Sequence, residues 1–120
     1  MADEDTTLQE LKEWVARFRD ERDWRRYHNP KDLAVSISIE AAELLEVFQW
    51  RNQKEVEAML RRDGLRKVKA ELADVIVYCV SLADILKIDL SEAISEKMRE
   101  NSEKYPVSKT KGEYKKYTEL

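Results

Sequence analysis

Two acidic pairs are the residues in this sequence best placed to do chemistry. Glu40 and Glu43 lie inside "SISIEAAELLEVFQW", and Glu71 and Asp74 lie inside "LRKVKAELADVIVYCV". Both have E-x-x-[ED] spacing. Consecutive helix residues turn by about 100°, so residues three apart are neighbours on one face. Each pair borders an apolar stripe, and a carboxylate beside a core is costly to desolvate. If the two helices pack together, four carboxylates converge. Like charges that close raise one another's pKa values. A bound divalent cation removes the conflict. A donor set made only of oxygen selects hard ions, Mg²⁺ first and Mn²⁺ second.

Such an ion points to a class of substrate. Mg²⁺ held by carboxylates keeps waters and takes its other ligands from substrate phosphates. It would polarise a phosphoryl group and lower the pKa of an attacking water. The chain has no Gly-rich phosphate loop, so phosphates must meet side-chain cations. Lys97, Arg99, Lys104, Lys109 and Lys111 are the candidates. Flat rings suit a nucleobase, because every base has a face to stack on. Trp24 and Tyr27 in "RDWRRYH", Trp50 in "FQW" and Tyr78 supply them. His28, the single histidine, offers a donor to base or phosphate.

The elements that must position these groups are helices. "TLQE" opens the first with capping-box spacing, and its stripe of Leu8, Leu11, Val15 and Phe18 carries it to about Tyr27. Asn29 caps the second and Pro30 suits its first turn, over roughly 30–50. Its stripe is Leu33, Ile37, Ala41, Leu44, Leu45 and Phe48. Asn52 opens a short helix that stops before Gly64. The next runs from about Leu65 to Ile88, with Val68, Val75, Cys79, Leu82 and Leu86 inward. Asp89 with Glu92 caps a fifth, which ends near Lys104 at "YP". Residues beyond about 106 lack periodicity, are rich in Lys, and read as a tail.

Composition agrees. The 120 residues fit one domain over 1–120, and two Gly and two Pro suit long helices rather than a turn-rich strand fold. A core of this size is modest, so oligomer formation is expected. A net charge of −3 gives no electrostatic footprint for nucleic acid. One cysteine, Cys79, allows no disulfide framework and favours a reducing, cytoplasmic setting. The acidic start "ADEDTTLQE" is neither a signal nor a transit peptide, and no apolar stretch is long enough for a membrane span.

With these residues in view, the sequence resembles the MazG-like, all-α nucleotide pyrophosphohydrolases, most of all their dCTP pyrophosphatase branch. The signature is E-x-x-E, a spacer, then E-x-x-D, here Glu40, Glu43, Glu71 and Asp74. "RDW" with His28 before Asn-Pro, "ELLEVFQW", "ELADVIVY", "SEKM" followed by Asn101 and "KYP", and the final "KYTEL" extend the match over about residues 8–120. The resemblance implies an all-α bundle of four main helices and a short connecting one, assembling as a homodimer or a dimer of dimers. It implies hydrolysis of a nucleoside triphosphate to the monophosphate and pyrophosphate, as house-cleaning of the nucleotide pool. It implies Mg²⁺, with Mn²⁺ as substitute, on Glu40, Glu43, Glu71 and Asp74, which would also be the catalytic set. Trp24, His28, Trp50 and Tyr78 would line the nucleotide pocket, and Lys97 and Asn101 would face phosphates or sugar. Val15 stands where the dCTP-preferring branch has a histidine, Ile39, Ala41 and Ala42 replace glycines, and "NSEKYP" replaces an Arg-rich run.

Two rival readings are set against this one. A di-iron carboxylate bundle needs two E-x-x-H motifs, and His28 follows no such Glu. A non-catalytic helical interaction or regulatory module would leave the acidic pairs as a solvated surface.

Overall fold

A computed structural model describes all 120 residues, and its regular elements are all helical. A first compact unit, Met1–Lys87, holds α1 (Leu8–Glu21), α2 (Pro30–Phe48), α3 (Gln53–Met59) and α4 (Leu65–Leu86). A second, Ile88–Leu120, holds α5 (Leu90–Lys104) and the short α6 (Val107–Thr110).

The expected caps form. The Thr7 hydroxyl accepts from the Glu10 N–H at 3.1 Å, and Asn29 accepts from the Asp32 N–H at 2.9 Å. Asn52 and Glu55 make a reciprocal capping box, and Asp89 accepts from the Glu92 N–H at 2.9 Å. Each satisfies a backbone donor that the first helical turn leaves open.

The first helix stops earlier than expected, at Glu21 rather than near Tyr27. Asp23 adopts a left-handed conformation, φ 55°. Its N–H bonds to the Asp20 carbonyl, and the Trp24 N–H bonds to the Arg19 carbonyl, both at 3.1 Å. This is a Schellman termination with aspartate where glycine is usual. Residues Arg25–Tyr27 continue as one 3₁₀ turn. The connection before α4 also differs from a simple stop: Leu60–Gly64 forms a π turn that runs directly into α4.

Within the first unit α2 packs along α4, and α1 also packs on α4. Leu33, Val80 and Ala83 are its fully buried apolar residues. Phe18, Ala41, Leu45 and Leu86, expected in the stripes, are exposed. The apolar face of α2 is wider than one neighbouring helix covers, so Ile39 and Leu45 remain 54% and 68% open. Arg19 takes an inward place on α1 instead. Its Nε donates to Asp20 and its Nη1 to Asp84 on α4, both at 2.9 Å.

In the second unit the tail has more structure than its sequence suggests. After α6 a closing 3₁₀ turn, Tyr117–Glu119, sets Tyr117 edge-on to Tyr105 at 6.1 Å, with the Lys104 ammonium 4.9 Å above its ring. No helix is long and apolar enough to cross a membrane.

Candidate active site

Packing α2 on α4 brings the two acidic pairs together. One carboxylate oxygen each from Glu40, Glu43 and Glu71 lies within 4.8 Å of the others. Asp74 stands outside that trio, one helical turn beyond Glu71, and acts on Glu40 and Glu71 through its charge. Opposite ligands of Mg²⁺ stand about 4.2 Å apart and those of Ca²⁺ about 5 Å, so the trio has the dimensions of one hard-cation coordination sphere.

The electrostatics carry the same message. A hydrogen bond with Glu43 pushes Glu40 above the usual carboxylate range, helped by burial and by the charges of Glu43, Asp74 and Glu71. Glu71 is pushed up by burial first, then by the charges of Glu43 and Asp74. Glu40 Oε2 and Glu71 Oε2 are buried with no hydrogen-bond partner. Buried polar atoms are normally satisfied. Two orphaned oxygens on residues of one acidic cluster fit a cation that the chain itself does not supply.

A second group forms about two helical turns along α4 from Glu71. Trp24, His28 and Tyr78 stand in a row with Phe18: Phe18 to Trp24 is 5.8 Å between ring centres, Trp24 to His28 is 6.5 Å, and His28 to Tyr78 is 6.5 Å. His28 Nδ1 is buried without a partner. Burial lowers the His28 pKa below its ordinary value, and the charge of Arg19 lowers it further. The imidazole is therefore neutral at pH 7 and able to accept as well as donate. Its contribution to stability is in place above pH 6.5 and is lost as pH falls through its lower folded-state pKa, because the unfolded chain then binds the extra proton. As the chain has one histidine, an NMR titration isolates it. The imidazole resonance is expected to titrate below pH 6.5, and a midpoint above that value would contradict the burial.

Trp50 joins neither group. It ends α2 with φ 68° and is 91% exposed. Tyr27 also stands apart from the row, stacked under the Arg26 guanidinium at 5.8 Å. Lys97 and Asn101 lie on α5 in the second unit. There the Lys97 ammonium pairs with Glu100 at 3.3 Å, and the Asn101 amide approaches the Met98 sulfur at 4.0 Å.

The sequence reading missed three cations. A cleft of about 780 Å³ opens beside the carboxylates, with Glu43 and Glu71 on its wall and Arg51, Arg62 and Lys67 among its lining. Lys67 was open to detection, lying one helical turn before Glu71. Arg62 was not, because nothing in the pattern announces a π turn.

A family model described as the MazG-like family matches residues 35–120. The dCTP pyrophosphatase 1 of Rattus norvegicus is 36% identical over 115 residues, which span 95% of this chain and 68% of that protein. The Homo sapiens dCTP pyrophosphatase 1 is 35% identical over 116 residues, with the same shares. Among solved structures, a pyrophosphatase from Archaeoglobus fulgidus is similar with a TM-score of 0.76 at 45% identity, over 88% of this chain and 98% of that one.

Proposed function

The chain belongs to the MazG-like family and is a nucleoside triphosphate pyrophosphohydrolase; from that premise we propose that it converts a deoxynucleoside triphosphate, dCTP or a modified relative, to the monophosphate and pyrophosphate in a Mg²⁺-dependent reaction. The observation that carries the metal dependence is the trio of Glu40, Glu43 and Glu71, with its two buried, unpartnered oxygens. We assign the ion to Glu40, Glu43 and Glu71, with Asp74 at the edge of the set. When bound, Mg²⁺ supplies charge neutralisation and Lewis acidity at the phosphates, and Mn²⁺ would substitute.

The chain's own residues do the rest. Glu43 is the most exposed of the trio, and we give it the water, held in line with the α-phosphorus and relieved of its proton. Catalysis of this kind is mostly positioning and electrostatics. Trp24, His28 and Tyr78 form the side of the pocket that takes the base, with neutral His28 presenting an unpartnered nitrogen. Trp50, open to solvent at the end of α2, is assigned to cover the nucleotide. Lys97 and Asn101 are assigned to phosphate or sugar. Glu40, Glu71 and Asp74 complete the catalytic set.

We propose that residues 1–120 act as a single MazG-like domain and that copies pair as a homodimer or a dimer of dimers. Ile39 and Leu45 on α2 and Leu72 and Ile76 on α4 are 47–68% exposed, more apolar surface than a small core needs to leave open. The free thiol of Cys79 supports a cytoplasmic setting. A net charge of −3 supports a small-molecule substrate rather than nucleic acid.

The test is direct. Purified protein with Mg²⁺ is expected to release pyrophosphate and dCMP from dCTP in equal amounts, and to melt higher with the ion and a nucleotide than without. A panel of canonical and modified triphosphates fixes the base and sugar. Absence of pyrophosphate release across that panel, with no thermal shift, would return the protein to the helical interaction module.

A further inference from the structure

Arg62 sits where the regular helix is interrupted. Within the π turn Leu60–Gly64 its backbone departs from helical values, at φ −101° and ψ −117°. π turns recur at functional sites, where the wider turn re-aims a side chain. Gly64 makes this one possible. A Cβ there would lie 2.7 Å from the Met59 carbonyl oxygen and would run into the Met59 side chain. The turn places Arg62 on the wall of the cleft that also carries Glu43 and Glu71, and Lys67 at the start of α4 lines the same cleft.

These two cations are uncommitted. Of the neighbouring charges, Arg66 pairs with Asp63 at 4.0 Å, and the Arg51 guanidinium donates to the Val47 carbonyl of its own helix end. Arg62 and Lys67 enter no ion pair, whereas Lys97 on α5 is held by Glu100. A triphosphate is more negative than one divalent ion can offset. If its α-phosphorus lies at the carboxylates, its outer phosphates need cations close by.

We propose that Arg62 and Lys67 bind the β- and γ-phosphates and so hold the pyrophosphate leaving group, with the planar Arg62 fork suited to two phosphate oxygens at once. This rests on the hydrolase reading above. In the step itself, the water oxygen bonds to the α-phosphorus. The bond from that phosphorus to the bridging oxygen breaks, and its electron pair leaves on pyrophosphate. The proton given up by water passes through Glu43 to solvent. The charge that develops on the leaving group falls beside Arg62 and Lys67, where it is stabilised most in the transition state.

The experiment measures pyrophosphate binding by calorimetry in Mg²⁺, which needs no turnover, for the wild type, Arg62→Gln, Arg62→Lys and Lys67→Gln. It adds dCMP inhibition and kcat/KM on dCTP. Arg62→Gln is expected to weaken pyrophosphate at least 10-fold, to lower kcat/KM by about 10²-fold, and to leave dCMP inhibition unchanged. Arg62→Lys is expected to fall between. It keeps the charge, so it carries the same test if the glutamine variant folds poorly. Equal pyrophosphate affinity in wild type, Arg62→Gln and Lys67→Gln would overturn the proposal, as would equal loss of pyrophosphate and dCMP. Wild-type protein that binds pyrophosphate through Arg62 yet cleaves no triphosphate would sink the hydrolase reading while leaving this site standing.

Discussion

Glu71→Gln is expected to cut pyrophosphate release about 10²-fold or more and at the same time to make the cation-free protein harder to unfold. Both effects follow from one feature. Glu71 is raised by burial and by the charges of Glu43 and Asp74, and one of its oxygens is buried without a partner. Without an ion, its ionised form is a source of repulsion, and an amide of the same shape removes that repulsion. With an ion, the same carboxylate is a ligand, and the amide is a poor substitute. Loss of a residue that merely supports a metal ligand typically costs 10- to 100-fold, so loss of a ligand is expected to lower kcat/KM by about 10²-fold or more. The assay is pyrophosphate release from dCTP alongside melting curves with and without Mg²⁺. The variant should melt higher than wild type in chelator and gain less from Mg²⁺. Activity at the wild-type level would remove the metal cluster from the mechanism.

The largest effect on stability is expected at Arg19. Its side chain is 3% exposed, yet it bonds Asp20 next to it and Asp84 across on α4. Replacement by Met keeps the apolar stem and removes the guanidinium. Breaking a buried pair typically costs 3–5 kcal/mol because a charge is left without compensation. Asp84 is 31% exposed and Asp20 is 53% exposed, so solvent relieves part of that cost. A loss of about 2 kcal/mol and a fall in Tm of roughly 8 °C are expected. Combining Arg19→Met with Asp84→Asn in a double-mutant cycle isolates the pair, and the double variant should recover part of the loss. Additive effects would mean that the two side chains do not depend on each other. The change also removes a positive neighbour of His28, so the imidazole should titrate closer to its ordinary value.

The legible features were those set by local chemistry. Thr7, Asn29, Asn52 and Asp89 announce helix starts because a side-chain oxygen at that place satisfies an open N–H. The E-x-x-[ED] spacing announces carboxylates on one face, and the stripe beside it says that the face meets another helix. What stayed hidden depends on geometry that no spacing encodes. Asp23 ended α1 by entering the left-handed region, a role for which the sequence rules look to glycine. Arg19 took an inward place because a carboxylate from a residue 65 positions away meets it. The width of the α2 stripe was visible, but how much of it α4 covers was not, which is why Leu45 and Ala41 lie open.

The candidate site divides the same way. Glu40, Glu43 and Glu71 meet as their spacing implies, and Trp24, His28 and Tyr78 meet, the first two from either end of the Arg25–Tyr27 turn and the third from α4. The cations were sought among Lys97, Arg99 and Lys104 of α5 and in the Lys-rich stretch that follows it. The uncommitted ones beside the carboxylates are single residues at the α3–α4 junction, and composition does not register them.

Trp50 holds a backbone angle that asparagine or glycine would tolerate more readily, at a cost on the order of 1 kcal/mol. Its ring gains almost nothing in return from its own chain, since nearly all of it faces water. Covering the ring with the nucleotide proposed above would recover the apolar burial that its own chain does not provide.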